Sequence, residues 1–269
     1  MNICVCIKQV PDTTEMKIDP DTNTLLRRGV PSIVNPYDMY ALEMALQLRE
    51  KSDGKIYILS MGPEQAERAV KSCLEIGADK GYLISGKVFG GSDTYATSYI
   101  LSCGIRSIEE VEKVKFDLIL CGKQAIDGDT AQVGPEIAEH LKIPQITLAL
   151  DIFFEEEKLI VKRESREGYD FMTTHLPALI TVLKSNVPPR CATLKTKMAA
   201  RKKTVTVVTE NEMNHLNLKN CGLKGSPTRV VSTYVSSLKK EGYVIQEENC
   251  QKAVEELFVR LQEDGVFQR

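Results

Sequence analysis

Apolar and polar positions change period along this chain in a regular way. "NICVCI", residues 2–7, alternates and is rich in small and β-branched residues, which predicts an opening strand. A polar excursion rich in Pro, Asp and Thr follows, and residues 16–26 within it have the pattern of a small hairpin. "NPYDMYALEMALQLREK" then shifts to a helical period. Met39, Leu42 and Leu46 recur on one face, Asn35 suits the N-cap and Pro36 the first helical position. "KIYILSMG" predicts a strand, and "PEQAERAVKSCLEIGAD" a helix opened by Pro63 and ended near Gly77. "GYLIS" predicts a short strand. A helix capped by Ser92 or Asp93 follows, then the strand "FDLILC" and a helix from "GDTAQVGPEIAEHL".

Strand and helix thus alternate over residues 2–145, the signature of a parallel sheet covered by helices on both faces. Residues 146–183 have β-rich runs broken by acidic turns and predict a hairpin extension of that sheet. After Val182 come a Pro-Pro break and a basic cluster of Lys195, Lys197, Arg201, Lys202 and Lys203. The expected fold is α/β, a doubly wound, mostly parallel sheet. A domain over 1–185 is followed by a loop over 186–203 and a C-terminal arm over 204–269. The arm is thin in apolar residues apart from one helix, "NCQKAVEELFVRLQEDG", and is expected to pack on another surface or subunit.

Composition narrows the function classes. A net charge of -2 over 269 residues argues against nucleic acid as the main partner. No apolar run approaches the roughly 20 residues of a membrane span. The first residues lack the basic-then-apolar pattern of a signal peptide, so the expected location is the cytoplasm. Eight cysteines without a C-x-x-C pair fit reduced, mostly buried thiols rather than a metal cluster. His140, His175 and His215 are scattered outside metal-ligand spacing.

Candidate chemistry gathers at the carboxyl ends of the predicted strands, where open parallel sheets bind ligands. The richest loop is "CGKQAIDGDTAQVGPEIAEHL". A helix N-terminus offers unpaired N–H groups and partial positive charge, which suits a phosphate. Gly128 and Gly134 would admit a ligand close to the backbone, Asp129 or Thr130 would cap the helix, and Thr130 and Gln132 would donate to phosphate oxygens. The same pattern also fits a plainly capped helix behind a glycine turn. "GGSDTYATS" is a second helix start, with hydroxyls at Ser92, Thr94, Thr97 and Ser98. Neither G-x-x-x-x-G-K-[ST] nor G-x-G-x-x-G is present, so adenine would rest on backbone and apolar edges near Cys6, Asn35 and Met61. No triad for nucleophilic catalysis stands out. ATP hydrolysis on a related fold is disfavoured by the missing phosphate loop and metal-carboxylate cluster.

"KQAIDGDTAQVGPEIAE" resembles the nucleotide loop of the electron-transfer flavoprotein beta subunit. "VKRESREGYDFMTTHLPALITV" resembles that family's signature, and "PPRCATLKTKMAARKK" its partner-recognition loop. With "IVNPYDMYALEMAL" and "SMGPEQAERAVKSCLEIGAD", the resemblance runs over residues 2–210. It implies an adenine-nucleotide-binding fold and an alpha-subunit partner carrying its own FAD. It implies nucleotide contacts from Cys6, Asn35, Pro36, Tyr37, Asp38 and Met61. The loop adds Gly122, Lys123, Gln124, Ala125, Ile126 and Asp127, then Gly128, Asp129, Thr130, Ala131, Gln132 and Val133. Simple members hold a structural AMP there. The smaller segment "GDTAQVG" and "FGGSDTYATS" resemble instead the electron-bifurcating members, which hold a second FAD reduced by NADH.

In that case one electron would pass to the alpha-subunit FAD and a partner dehydrogenase of acyl-CoA, enoyl-CoA or hydroxy-acid type. The other would pass to ferredoxin or flavodoxin, with no side chain acting as nucleophile or base. A flexible "FGGSD" would border the flavin, Gly90 and Gly91 would admit the nicotinamide, and Asp93, Thr94 and Thr97 would line the site. In the recognition loop, Leu194 aligns with the family's docking leucine, with Arg190, Lys195, Lys197 and Met198 around it and Glu164 restraining the loop.

Overall fold

The computed structural model describes residues 1–12, 31–155, 158–231 and 242–267. The hairpin expected over residues 16–26 lies outside them. The chain divides into two compact units, Met1–Ser232 and Thr233–Arg269.

The first unit opens with β1 (Asn2–Ile7), β2 (Gln9–Pro11), β3 (Ser32–Val34), α1 (Pro36–Glu50), β4 (Lys55–Met61), α2 (Glu67–Ile76) and β5 (Lys80–Ile84). It continues through α3 (Thr94–Glu112), β6 (Leu118–Gly122), α4 (Val133–Leu141), β7 (Gln145–Glu155), β8 (Lys158–Ser165), β9 (Gly168–Thr174) and β10 (Ala178–Val182). It ends with α5 (Leu194–Ala200), β11 (Val205–Val208) and the single turn α6 (Gly222–Gly225). Among the described residues, nine strands form one sheet in the order β11-β5-β4-β1-β6-β10-β7-β8-β9, and β2 pairs with β3 in a separate ribbon. The seven strands from β11 to β7 run parallel, and β8 and β9 extend the sheet antiparallel.

The alternation within β1 explains the layering. Ile3, Val5 and Ile7 point into a core shared with α1 and α2, through Leu42, Leu46, Val70 and Leu74. Cys4 and Cys6 point to the opposite face, where α3 and α4 supply Ile100, Ile105 and Ile137. Leu42 and Leu46 are almost completely buried, and burying each contributes about 1.5–3 kcal/mol. From β1 the chain winds outward through β4 and β5, then returns across the sheet to β6 on the other side of β1. The β1/β6 boundary is therefore the topological switch point, and the crevice outside the carboxyl ends of these two strands is where such sheets bind ligands.

Three expectations change. The first unit extends past residue 203, because the short run "VTVV" adds β11 beside β5 and the chain to Ser232 stays with the body. The stretch expected to be a recognition loop contains α5, whose Thr193 forms a capping box with Thr196 and which packs on α2. The helix after β6 starts at Val133, with Gln132 at the N-cap and no side-chain cap, so neither Asp129 nor Thr130 caps it.

In the second unit, Asn249 caps α7 (Cys250–Glu263) by accepting from the Gln251 N–H. The Arg260 guanidinium lies 3.4 Å from the Tyr243 ring centroid. Val254, Leu257 and Phe258 are exposed on α7 at helical spacing.

Candidate nucleotide crevice and docking helix

The crevice walls are joined by two buried polar residues. Asn35 is fully buried and uses both sides of its amide: Nδ2 donates to Asp38 Oδ1 at 2.9 Å and to the Gln124 carbonyl at 2.8 Å, while Oδ1 accepts from the Ile126 N–H at 3.1 Å. Asn35 occupies the N-cap position of α1, but its side chain caps nothing there because it is turned to this network. Asp38 Oδ2 accepts from the Lys8 N–H at 2.7 Å, and Oδ1 also accepts from the Gly122 N–H at 3.1 Å. Burial pushes the Asp38 carboxyl up to about 7, against the hydrogen bonds from Asn35, Lys8 and Gly122 that pull it down. Gly122 is required for this approach: a Cβ there would lie 2.3 Å from Asp38 Oδ1 and 2.8 Å from the Asp38 nitrogen.

Beyond Gly122 the loop arches over the strand ends. Lys8 Nζ pairs with Asp127 at 2.7 Å, and Gln124 Nε2 donates to Asp129 at 2.6 Å. The Gly128 and Asp129 N–H groups turn back onto the Ala125 carbonyl. Asp129 and Ala131 have positive φ, 52° and 55°, conformations that cost a non-glycine residue energy. Gly128 has no atom within 4 Å of where a Cβ would stand. Gly134 is different: a Cβ there would lie 2.7 Å from Thr181 Cγ2, so this glycine serves the packing of α4 on β10 rather than the approach of a ligand. The start of α4 carries N–H groups that no side chain caps, and Pro135 contributes none.

The structure gathers most of the expected nucleotide residues here. Cys6 is in register with Cys121 across β1/β6, Pro36 and Tyr37 open α1, and Met61 ends neighbouring β4. The Lys123 N–H is held by the Val182 carbonyl. Thr130 and Gln132 are exposed, and Val133 packs into the face below α3 and α4. The second helix start meets the first, since Thr94 Oγ1 donates to Glu136 Oε1 at 3.2 Å. Glu136 Oε2 is buried and finds no partner among the described residues.

The segment before α3 is pinned rather than flexible. Asp93 caps α3 at Ala96 and accepts from Thr228 through both its N–H and its hydroxyl. Ser92 Oγ accepts from the Gly222 N–H at 3.1 Å. Gly91, at φ 75°, leaves room that the Leu223 side chain fills, since a Cβ there would lie 2.6 Å from it. Gly90 is exposed and open, and Thr97 lies in the first turn of α3.

The expected docking residues separate into two roles. Leu194 is 76% exposed and Met198 58% exposed, one helical turn apart on α5, with Lys195 and Lys197 beside them. Arg190 is instead turned inward: its Nε and Nη2 grip the two carboxylate oxygens of Glu43 at 2.8 Å each, its N–H donates to Glu43 at 3.0 Å, and Nη1 reaches Glu50 at 2.5 Å. Glu164 is exposed on β8, paired in register with Tyr169. Glu43, absent from the expected site residues, was visible as an acid on the Met39–Leu42–Leu46 face of α1.

A family model described as electron transfer flavoprotein domain matches residues 22–213. The chain belongs to the electron transfer flavoprotein family. It is 46% identical to the electron transfer flavoprotein subunit beta of Thermoanaerobacterium thermosaccharolyticum, over 97% of this chain and 98% of that one. It is 42% identical to the caffeyl-CoA reductase-Etf complex subunit CarD of Acetobacterium woodii, over 99% and 100% of the two chains. Protein FixA of Azorhizobium caulinodans is 40% identical over 90% of this chain and 86% of its own. No helix among the described residues is long and apolar enough to cross a membrane, and no three potential metal ligands cluster among them.

Proposed function

We propose that this chain is the beta subunit of an electron-bifurcating flavoprotein, holding FAD in the β1/β6 crevice and using NADH as hydride donor. The observation that carries the reading is the open arch over the switch point: Gly128 has free space around it and the start of α4 is uncapped. Those features fit a diphosphate that continues into a second bulky group. When bound, the flavin would supply hydride acceptance and one-electron transfer.

The chain's own residues would bind and orient. The N–H groups at the start of α4, with Thr130 and Gln132, would hold the diphosphate. Cys6 and Met61 would border the adenine, as in an adenine-nucleotide-binding fold, and Gly90 would leave the approach open for the nicotinamide. Leu194 and Met198 would dock a dehydrogenase inside a basic rim, and the second unit would pack on the alpha subunit. The partners in this reading are the alpha subunit with its FAD, an acyl-CoA, enoyl-CoA or hydroxy-acid dehydrogenase, and ferredoxin or flavodoxin, in the cytoplasm. The likeness to a caffeyl-CoA reductase-Etf complex subunit supports a CoA-linked reductase as the dehydrogenase.

Acid extraction of the purified alpha–beta pair, with FAD and AMP quantified by chromatography, tests this. Two FAD per pair is the expected result. One FAD plus one AMP would overturn it and leave a docking subunit with a structural nucleotide.

A further inference from the structure

Three hydrogen-bond donors converge on Asp38, and the ammonium of Lys8, whose own N–H is one of the three, is engaged by Asp127. Each donor belongs to a different part of the crevice: the Lys8 N–H follows β1, the Gly122 N–H ends β6, and Asn35 Nδ2 precedes α1. Asn35 extends the connection to Gln124 and Ile126, the first half of the loop. The Asp38 carboxylate is only 6% exposed, and both its oxygens are occupied by these donors rather than free for a ligand. A carboxylate is acceptor-only, whereas an amide or a protonated carboxyl brings a donor of its own. With donors at both oxygens, an amide nitrogen would set hydrogen against hydrogen at Lys8 or at Asn35 and Gly122, and protonation would weaken the bonds the carboxylate accepts by removing its charge.

We infer that ionised Asp38 is a positioning residue: it clasps the ends of β1 and β6 and, through Asn35, the loop, in the shape that retains the nucleotide. The inference rests on the proposed function only in placing a nucleotide in this crevice, whichever nucleotide that is. Burial opposes the clasp by pushing the carboxyl up to about 7, so its grip loosens as pH falls through neutrality. The other titratable groups near Asp38 are the thiols of Cys6 on β1, Cys121 on β6 and Cys73 on α2, and the Lys8–Asp127 pair at the crevice mouth.

The test uses the full alpha–beta pair with its bound nucleotide. Release is followed by filtration and chromatography of FAD and AMP between about pH 8 and about pH 6, a range that spans the expected titration. The wild type is expected to release its beta-site nucleotide several-fold faster at the lower end, in a single step. Asp38→Asn should release fast throughout with no step, and Asn35→Ala should release faster while keeping the step. Flat release from the wild type, or an unchanged step in Asp38→Asn, would overturn the clasp.

Should Asp38→Asn fail to fold, hydrogen exchange decides on the wild-type pair. Protection of the Lys8 and Gly122 amides, corrected for intrinsic pH dependence, must fall across the same step, and constant protection refutes the inference. If the nucleotide released is AMP, the FAD reading fails and the clasp is read on AMP. If FAD is released without a step, the clasp fails and the FAD reading stands.

Discussion

Helix α1 carries two buried carboxylates, one in its first turn and one at its middle, and the two are tuned in opposite directions. Asp38 is 6% exposed and Glu43 5% exposed. Burial is the largest influence on both and raises both. At Asp38 the neutral donors only soften that rise, and the carboxyl stands at about 7. At Glu43 the Arg190 guanidinium and N–H, with Gln47, outweigh burial and bring the carboxyl below its ordinary value. Burial alone therefore does not determine a carboxylate's behaviour; a formal positive charge among its partners does. Asp38, in the first turn, is titratable near neutrality and bonds to Asn35, which holds the crevice loop. Glu43, at mid-helix, is locked and anchors the segment that leads to α5.

Removing Arg190 should break the comparison most forcefully. Arg190→Ala leaves Glu43 buried without its cation, and urea unfolding should show a loss of about 3 kcal/mol, the lower end for a broken buried pair because the guanidinium is one-third exposed. A loss under about 1 kcal/mol would mean that Glu43 is not locked by charge.

The pH dependence should separate the two carboxylates with opposite signs. Glu43, with its lowered value, contributes stability above the ordinary carboxylate range that is lost as pH falls through its folded value. Asp38, with its raised value, contributes stability below the ordinary value of 3.8 that is lost as pH rises through about 7. Between about pH 5 and about pH 8, the stability of the wild type relative to Asp38→Asn should shift against the wild type by about 2–3 kcal/mol. A difference independent of pH would place the Asp38 titration elsewhere. Stability and nucleotide holding thereby oppose each other at this residue, a usual mark of a group kept for function.

Gly122→Ala should cost about 2 kcal/mol, since its methyl would meet both the carboxylate and the backbone nitrogen of Asp38; calorimetry reads this directly. Leu194→Ala should leave unfolding within about 0.5 kcal/mol of the wild type yet weaken dehydrogenase binding by about 2 kcal/mol, roughly 30-fold in Kd by titration calorimetry. Gly128→Ala should be the mildest for the fold, within about 0.5 kcal/mol, because no atom stands where its methyl would go. Lowered nucleotide content in that variant, with stability unchanged, would assign the space to the ligand.

Much of the fold could be read along the chain because strand and helix periods are local. The strands at residues 2–7 and 118–122 and the helix from Pro36 were readable in this way. β11 was harder: it is only four residues long with a single buried position, so it lacks the buried run that marks the central strands. The loop after β6 was legible as a collection of small and polar residues, but not as a geometry. The Asp38–Gly122 bond joins positions 84 apart, and Arg190–Glu43 joins positions 147 apart. No periodicity reports such pairs. Gly134 looked like a ligand-facing glycine because spacing cannot tell a helix pressed on a strand from a helix opened to a phosphate.

Among the described cysteines only Cys191 and Cys250 are exposed; the other six are buried. Cys191 adjoins Arg190 in the first unit, and Cys250 begins α7 in the second. Each compact unit therefore comes with its own natural attachment point for a spin label. Labels at these two thiols would report on each unit separately as a partner is added, without any engineered mutation.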